Sequence, residues 1–384
     1  MSLDDDARTE LAELEAAQLR RIPRVVDGRQ GVVVVVDGTE VVSFASNDYL
    51  GLAGDRRLAA AAASSLDEDG VGAGASRLII GNHRSHVTLE AELAAWMRCG
   101  GVQLFNTGYA ANVGIMTTLL RAGDIVFSDE LNHASIIDGC RLSRAEVVVY
   151  PHNDVAALDR LLRERNGSRR IVVSESLFSM DGDLADVAAL AALARHHDAA
   201  LILDEAHAIG ALGPEGRGVA ASLGVVPDVV VGTFGKALGT FGAFAASSRA
   251  ISELLWNRAR PLVFSTGLPP SIAAATRVAL DIVRGSEGDT RRRQLASHAR
   301  SFRAQVPEVG GSPESAIAPL IVGDEARTMQ LGARLLAASQ LVSTVRPPTV
   351  PRGTARLRMS FSAAHSIEQV QTVGRIMQRV IGAS

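Results

Sequence analysis

From about residue 85 onward the chain alternates two textures. Short apolar runs, Val102–Phe105, Asp124–Phe127, Val147–Tyr150, Arg170–Val173, Ala200–Leu203 and Asp228–Val231, are separated by longer stretches with helical periodicity, such as Val155–Arg165 and Asp186–His197. The short runs read as strands and the longer stretches as amphipathic helices. Strands alternating with helices predict an α/β fold around a mostly parallel sheet. In such sheets, sites collect beyond the carboxyl ends of the strands. Polar and glycine-bearing segments stand there in this sequence. Thr107–Asn112, Asn132-His133, Ser174–Asp181, Asp204–His207 and Thr233–Lys236 each follow a strand candidate.

The flanks read differently. Leu11, Leu14 and Leu19 have helical spacing, so residues 1–22 predict an exposed helix. Residues 31–44 predict two strands about the Asp37-Gly38 turn. Beyond Ser286, the pattern predicts a helix over Asp289–Val306, a strand over Ala316–Val322 and a helix over Ala326–Ser339. Two further strands and a last helix, Ser366–Ile381, follow. The division this implies is an N-terminal helix-and-strand arm (1–50), a large α/β domain (51–285) and a small C-terminal α+β domain (286–384).

Composition narrows the function. The chain has 384 residues, 47% of them hydrophobic, enough for a sizeable core, and a formal net charge of -3. Without a basic excess, nucleic acid is not an expected partner. No apolar run approaches the ~18 residues of a membrane helix, so no membrane association is expected. The acidic start MSLDDDARTE fits no signal or transit peptide, and a cytoplasmic protein is the expectation. Cys99 and Cys140 form neither a disulfide framework nor a metal-ligand spacing, so no metal is expected.

One count changes the picture. The 39 basic residues include a single lysine, Lys236. A GC-rich genome explains the scarcity of lysine but not the survivor. An amine can lose its proton and act as a nucleophile, which a guanidinium cannot. Lys236 follows a strand candidate and is flanked by Gly235 and Gly239. The segment is not a P-loop: Gly232 lies too close to Gly235, and Ala237 stands where a Mg²⁺-binding hydroxyl belongs. Nor does a GxGxxG segment open a helix here, which argues against a dinucleotide site.

Other segments suit a pyridoxal-phosphate (PLP) site with Lys236 as its Schiff-base lysine. In Leu201-Ile202-Leu203-Asp204-Glu205-Ala206-His207 an apolar strand ends in a carboxylate, with a histidine three residues on. The aspartate could cap a helix, or it could keep a pyridine nitrogen protonated so that the ring becomes an electron sink. Thr107–Asn112 follows a strand and opens a helix, where free N–H groups favour an anion. His133 stands at a strand–helix junction where it could stack on an aromatic ring.

In this order the segments resemble the α-oxoamine synthases, a family of fold-type-I PLP transferases. The resemblance runs from Ala45–Leu52 through Gly72–Arg77, Gly108–Asn112, Asn132–Ser135, Ser179–Asp183, Asp204–Gly210 and Gly232–Gly239 to Arg346–Arg358. It implies a fold-type-I large domain with a smaller C-terminal domain. Among the family's branches, Arg346–Pro351, Asp204–His207 and Gly216–Gly218 look most like the one that joins L-alanine to a pimeloyl thioester of CoA or acyl carrier protein, in biotin biosynthesis. One departure stands out: the family's proline after Asp-Gly-Asp is replaced by Leu184-Ala185-Asp186.

The resemblance also implies roles. Lys236 would hold the cofactor, Asp204 its ring nitrogen, and His133 its face. His207 and Ser179 would hold its ring hydroxyl. Gly108, Tyr109 and Thr233 would hold its face and phosphate, with Thr266 or Ser265 reaching the phosphate of a neighbouring subunit in a homodimer. Arg358, with Arg356 as the alternative, would bind the amino-acid carboxylate. Arg20 or Arg21, Asn47, His133 and Thr349 would meet substrate. A branch that uses glycine, and a non-catalytic binding protein on the same fold, are the alternatives.

Overall fold

A computed structural model describes residues 2–382. The chain divides into two compact units. One comprises Asn47–Ser179 and Asp183–Leu295; the other comprises the segment up to Ser46, Met180–Gly182 and Ala296 onward. Residues 2–46 thus fall in the unit of the C-terminal segment, and the division near the C-terminal side lies inside the helix Ser286–Gln305.

The larger unit is built on a seven-stranded sheet. From one edge, its strands are Gly101–Phe105, Ala243–Ser247, Val229–Thr233, Ala200–Asp204, Arg170–Glu175, Ile125–Asp129 and Glu146–Tyr150. The last five run parallel, while Ala243–Ser247 is antiparallel to both its neighbours. Central strands buried on both faces need apolar residues at every position, and this is why they read as continuous Val and Ile runs. Ile171, Val173, Ile202 and Val231 pack on one face with Ala111 and Ile115 of the helix Gly108–Leu119. Val172, Leu201 and Leu203 pack on the other with Leu158, Leu162 and Leu190 of the helices Val155–Glu164 and Val187–His196.

The register fixes what emerges at the carboxyl edge. Glu175 is the partner of Asp204, and Asp204 that of Val231. Side chains alternate along a strand, so Glu175 and Asp204 leave the sheet on the face of Val173, Ile202 and the Gly108–Leu119 helix. The predicted strands are all present, most of them extended by a residue or two toward this edge. The antiparallel strand Ala243–Ser247 has no sequence counterpart above. Ala-Phe-Ala-Ala-Ser carries little strand preference of its own. It pairs because Phe244 lies over Gly232, where an added Cβ would stand 2.3 Å from the ring.

The smaller unit holds two sheets. In one, the hairpin Val33–Val36 with Thr39–Ser43 is flanked by Val26-Asp27 and by Gln340-Leu341. In the other, Ala355–Ser360 lies between Ile317–Gly323 and Ser343–Val345, antiparallel to both. The helices Glu325–Ala337 and Ile367–Gly382 carry their buried residues on one side each. The N-terminal helix is shorter than its leucine spacing predicts. It spans Leu3–Ala16 and buries none of its residues, and Ser2 and Asp5 form its capping box. Among the described residues no helix is long and apolar enough to cross a membrane, and no cluster of ligating side chains could hold a metal ion.

Gly232 gives a direct test of the sheet. Gly232→Ala is expected to cost about 1–3 kcal/mol by overpacking against Phe244, read as a lower urea midpoint at unchanged slope. Wild-type stability in that variant would mean that the ring is free to move aside.

Candidate active site

Asp204 ends the strand Ala200–Asp204 and is almost fully buried. A carboxylate in that position needs donors. Asn112 supplies one: its Nδ2 donates to Oδ2 at 2.7 Å. The backbone N–H of Ala206 donates to Oδ1 at 2.8 Å. Asn112 itself is buried on the helix Gly108–Leu119, and the same Nδ2 lies 2.9 Å from Ser135 Oγ. A helix cap is therefore not the role of this aspartate. The capping falls to its neighbour Glu205, which points to the other face. Its carboxylate accepts from the N–H groups of Val219 and Ala220 and from Ser176 Oγ, anchoring the helix Gly218–Ser222.

His133 opens the helix Ala134–Ser143, and its Nδ1 lies 2.7 Å from Ser135 Oγ. Desolvation lowers the imidazole's pKa and the charge of Lys236 adds to this, while Asp204 pulls it up. The loop that presents it is pinned by the buried Asn132. Asn132 Nδ2 donates to Ser128 Oγ and to the carbonyl of Val173, and its Oδ1 accepts from the N–H of Glu175.

Lys236 sits partly exposed in a tight turn after the strand Val229–Thr233. Thr233 Oγ1 donates to the carbonyl of Gly242 at 3.0 Å and accepts from the N–H of Gly235 at 3.2 Å. Gly239 closes the turn at φ +67°, packed so closely on Leu52 and Ala53 that a Cβ would stand 2.4 Å from the Ala53 nitrogen. Lys236 thus stands at the carboxyl edge with Asp204 and His133.

Thr107 caps the helix Gly108–Leu119 by accepting from the Ala110 N–H. A Cβ on Gly108 would meet nothing within 4 Å, so the helix start is open to a ligand. Tyr109 is exposed and its hydroxyl donates to Asp138. His207 is buried, and its Nδ1 lies 2.6 Å from the hydroxyl of Tyr49. Ser179 is buried on the loop after the strand Arg170–Glu175. Thr266 is exposed, forms a bridge with Ser76, and offers its carbonyl to Asn106. Asn47 is half-buried, and its Oδ1 accepts from Tyr49.

In the smaller unit the two arginine ambiguities separate. Arg21 Nη2 donates to Thr349 Oγ1 at 3.0 Å, while Arg20 pairs with Glu15. Arg21, not Arg20, is thus the partner of Thr349. Arg356 is tied to Asp181 Oδ1 at 2.5 Å and to the carbonyls of Met180 and Thr354. Arg358 is equally buried, on the same strand, with Nη1 donating to Ser360 Oγ at 2.7 Å.

Sequence reasoning passed over four residues of this region: Tyr49, Asn112 as the partner of Asp204, His152 and Glu175. Only His152 lies outside the segments quoted. His152 is a clamp. Its Nδ1 meets Asp129 Oδ1 at 2.9 Å and its Nε2 meets Asp183 Oδ2 at 2.8 Å. It joins the start of the loop that leads to His133 with the end of the loop that carries Ser179. Burial pushes this imidazole down, but the hydrogen bonds and charges of Asp129 and Asp183 reverse that and raise it to about 10.

Comparisons with known proteins identify the family. The profile of aminotransferase class I and II matches residues 39–375. The chain is 48% identical to an 8-amino-7-oxononanoate synthase of Geobacter sulfurreducens, over 97% of this chain and 96% of that one. It is 44% identical to another of Burkholderia mallei, over 97% of each. Among solved structures it is similar to a serine palmitoyltransferase of S. paucimobilis with PLP bound (TM-score 0.93, 32% identity, 99% of this chain and 97% of that one). It is also similar to an 8-amino-7-oxononanoate synthase of Francisella tularensis (TM-score 0.77, 28% identity, 89% and 98%). The residues fit PLP: a buried carboxylate for a ring nitrogen, an amine beside it, and an open helix start for a phosphate.

The His152 clamp has a testable sign. Its pKa is raised by folding, so its contribution is full below about pH 6.5 and is lost as pH rises through about 10. The melting-temperature gap between wild type and His152→Gln is expected to be widest at pH 6 and to close above pH 10. A gap independent of pH would show that the ion pairs contribute nothing.

Proposed function

The chain belongs to the class I and II aminotransferase family and, within it, to the 8-amino-7-oxononanoate synthases, and on that premise we propose that it joins L-alanine to a pimeloyl thioester of CoA or acyl carrier protein. As a member it is a PLP-dependent acyltransferase. Carbon dioxide and the carrier thiol leave, and 8-amino-7-oxononanoate, a biotin precursor, is the product. The observation that carries this reading is the convergence of Lys236, Asp204 and His133 at one sheet edge, in a chain 48% identical to a synthase of that name.

PLP, when bound, supplies an electron sink for an amino-acid Cα carbanion. The protein's own groups do the rest. Lys236 Nζ would hold the cofactor and, as a free amine, would take the Cα proton as general base. The carboxylate of Asp204, fixed by Asn112 and Ala206, would pair with the ring nitrogen. His207 and Ser179 would hold the ring hydroxyl, and His133 would meet the ring and stabilise the oxyanion that the thioester carbonyl develops. Gly108, Tyr109 and Thr233 are assigned to the ring face and phosphate. The Thr233 hydroxyl already shapes the Lys236 turn, so its contact there is made beside that task. Arg358 is assigned the alanine carboxylate, which its guanidinium can meet bidentately; Arg356 is already committed to Asp181. Asn47 and Thr349, with Arg21 as its partner, are assigned to substrate.

The same reading includes a cytoplasmic homodimer in which Thr266 or Ser265 reaches the phosphate held by the other subunit. In support, Ile79, Ile80 and Phe264 are each more than 70% exposed, and their segments are joined by the Ser76–Thr266 bridge and by Ser76 Oγ on the Val263 carbonyl. An apolar patch of this kind marks a contact surface.

Two experiments decide. Lys236→Ala is expected to lower turnover by about 10⁴-fold or more and to release PLP on dialysis; multiple turnover without an added amine would end the assignment of Lys236. With PLP-loaded wild type, L-alanine is expected to shift the visible band of the cofactor in preference to glycine and serine. A preference for glycine would move the chain to another branch.

A further inference from the structure

The Gly216-Arg217-Gly218 segment has no part in the mechanism above. Its glycines are required by the fold. Gly216 stands at φ +75° and Gly218 at φ +90°, and a Cβ would come within 2.8 Å of Arg292 Nη1 at the first and 2.5 Å of Glu205 Oε2 at the second. Between them, the Arg217 N–H donates to the carbonyl of Pro214 at 3.1 Å, and the residue forms a bridge with Ile209. The backbone that carries Arg217 is therefore held on both sides.

What it carries is a guanidinium short of partners. The side chain is only 11% exposed, yet among the described residues its buried Nε has no hydrogen bond. Glu215 keeps Oε2 at 3.9 Å from that Nε and gives Oε1 to Arg98 Nη2 at 3.2 Å. One anion is thus shared by two guanidiniums, and a buried charge served this way is costly.

Arg217 and Arg98 both line a cavity of about 580 Å³, within the size range of ligand pockets. It lies at the edge of the sheet opposite Lys236. Its walls include Gly100 and Asp228, just before the strands Gly101–Phe105 and Val229–Thr233 begin, and Ser247, where the antiparallel strand ends. The five residues of Val229–Thr233 span roughly 13 Å, so a molecule in the cavity does not touch the cofactor edge. Met97, Val225 and Ile251 supply apolar wall, and Val226, also of the wall, is 93% exposed. Asp228 is the one carboxylate of the lining, and its Oδ2 already accepts from the Leu201 N–H at 2.8 Å. Two cations, one engaged acid and apolar walls suit a molecule with an anionic end and an apolar body. A guanidinium can meet a carboxylate bidentately. We propose that this cavity is a second binding site, for a small organic carboxylate, and that Arg217 holds the carboxylate. The site does not depend on the reaction assigned to the cofactor edge.

Octanoate serves as the probe, titrated calorimetrically into PLP-loaded wild type, Arg217→Gln and Ala221→Trp, with octanol as its uncharged counterpart. Ala221 lines the cavity, and an indole in its place would fill part of it. Wild type is expected to bind octanoate with a dissociation constant below about 1 mM, and octanol roughly tenfold to a hundredfold more weakly. Arg217→Gln should weaken octanoate by the same factor and leave octanol unchanged. Ala221→Trp should weaken both while the visible band of the cofactor stays as in wild type. Octanoate binding weaker than about 1 mM in wild type would mean that the cavity holds only water, and the proposal would fall. Octanol binding as tightly as octanoate would overturn it too. So would equal octanoate affinity in wild type and Arg217→Gln, since the acid would then sit elsewhere, the cofactor edge included. If melting of the ligand-free proteins shows that Arg217→Gln does not fold, Ala221→Trp decides alone. Octanoate binding undiminished in that variant rules the site out, and binding weakened about tenfold or more supports it.

Discussion

A buried carboxyl group at the carboxyl edge of the sheet is the constraint around which this region is arranged. Asp204 lies where a polar group needs partners. The protein meets this with near donors: Asn112 from the helix on the same face and the Ala206 amide, with Lys236 one strand over. Each donor in turn needs rigid backing. Asn112 sits on a helix whose Ala111 and Ile115 are sealed against the sheet, and Lys236 on a turn closed by Gly239, which admits no side chain. The apolar core does more than stabilise the fold. It keeps the dipoles around Asp204 from relaxing toward solvent, and electrostatic catalysis depends on such fixed dipoles.

Strand alternation explains why neighbouring polar residues in the motifs do unlike work. In Asp204-Glu205 the first carboxylate faces Asn112 and the helix Gly108–Leu119, and the second turns through the sheet to cap the helix Gly218–Ser222. In Ser174-Glu175-Ser176 the same rule sends Glu175 to the side of Asp204 and Ser176 to Glu205. Two parallel strands thus carry one polar layer on each face. One layer faces the Gly108–Leu119 helix and the other anchors the helix Gly218–Ser222. A motif read as a string mixes the two; the register sorts them.

Much of this was legible in the sequence, for physical reasons. Central strands buried on both sides must be apolar throughout, so the parallel core announced itself. A lysine that arginine cannot replace stood out in a chain that otherwise uses arginine. What stayed hidden was set by tertiary pairing. The strand Ala243–Ser247 exists because Gly232 leaves room for Phe244, and no local propensity encodes that. The choice of Arg21 over Arg20 beside Thr349 turns on where the N-terminal helix stops, which its leucine spacing overstated. Glu175 and His152 were invisible because a buried carboxyl and a clamped imidazole look, in one dimension, like any strand-end Glu or loop His.

The logic of His152 reaches beyond the residue itself. It joins the start of the His133 loop to the end of the Ser179 loop by charge, through Asp129 and Asp183. Loops at a sheet edge have few apolar contacts and are the least constrained part of an α/β fold. Burial of the imidazole opposes its charge, yet the hydrogen bonds and charges of the two aspartates outweigh that cost and raise its pKa to about 10. Misplacement by an ångström can cost a hundredfold in catalysis, so a tie of this kind bears on every side chain that these two loops present.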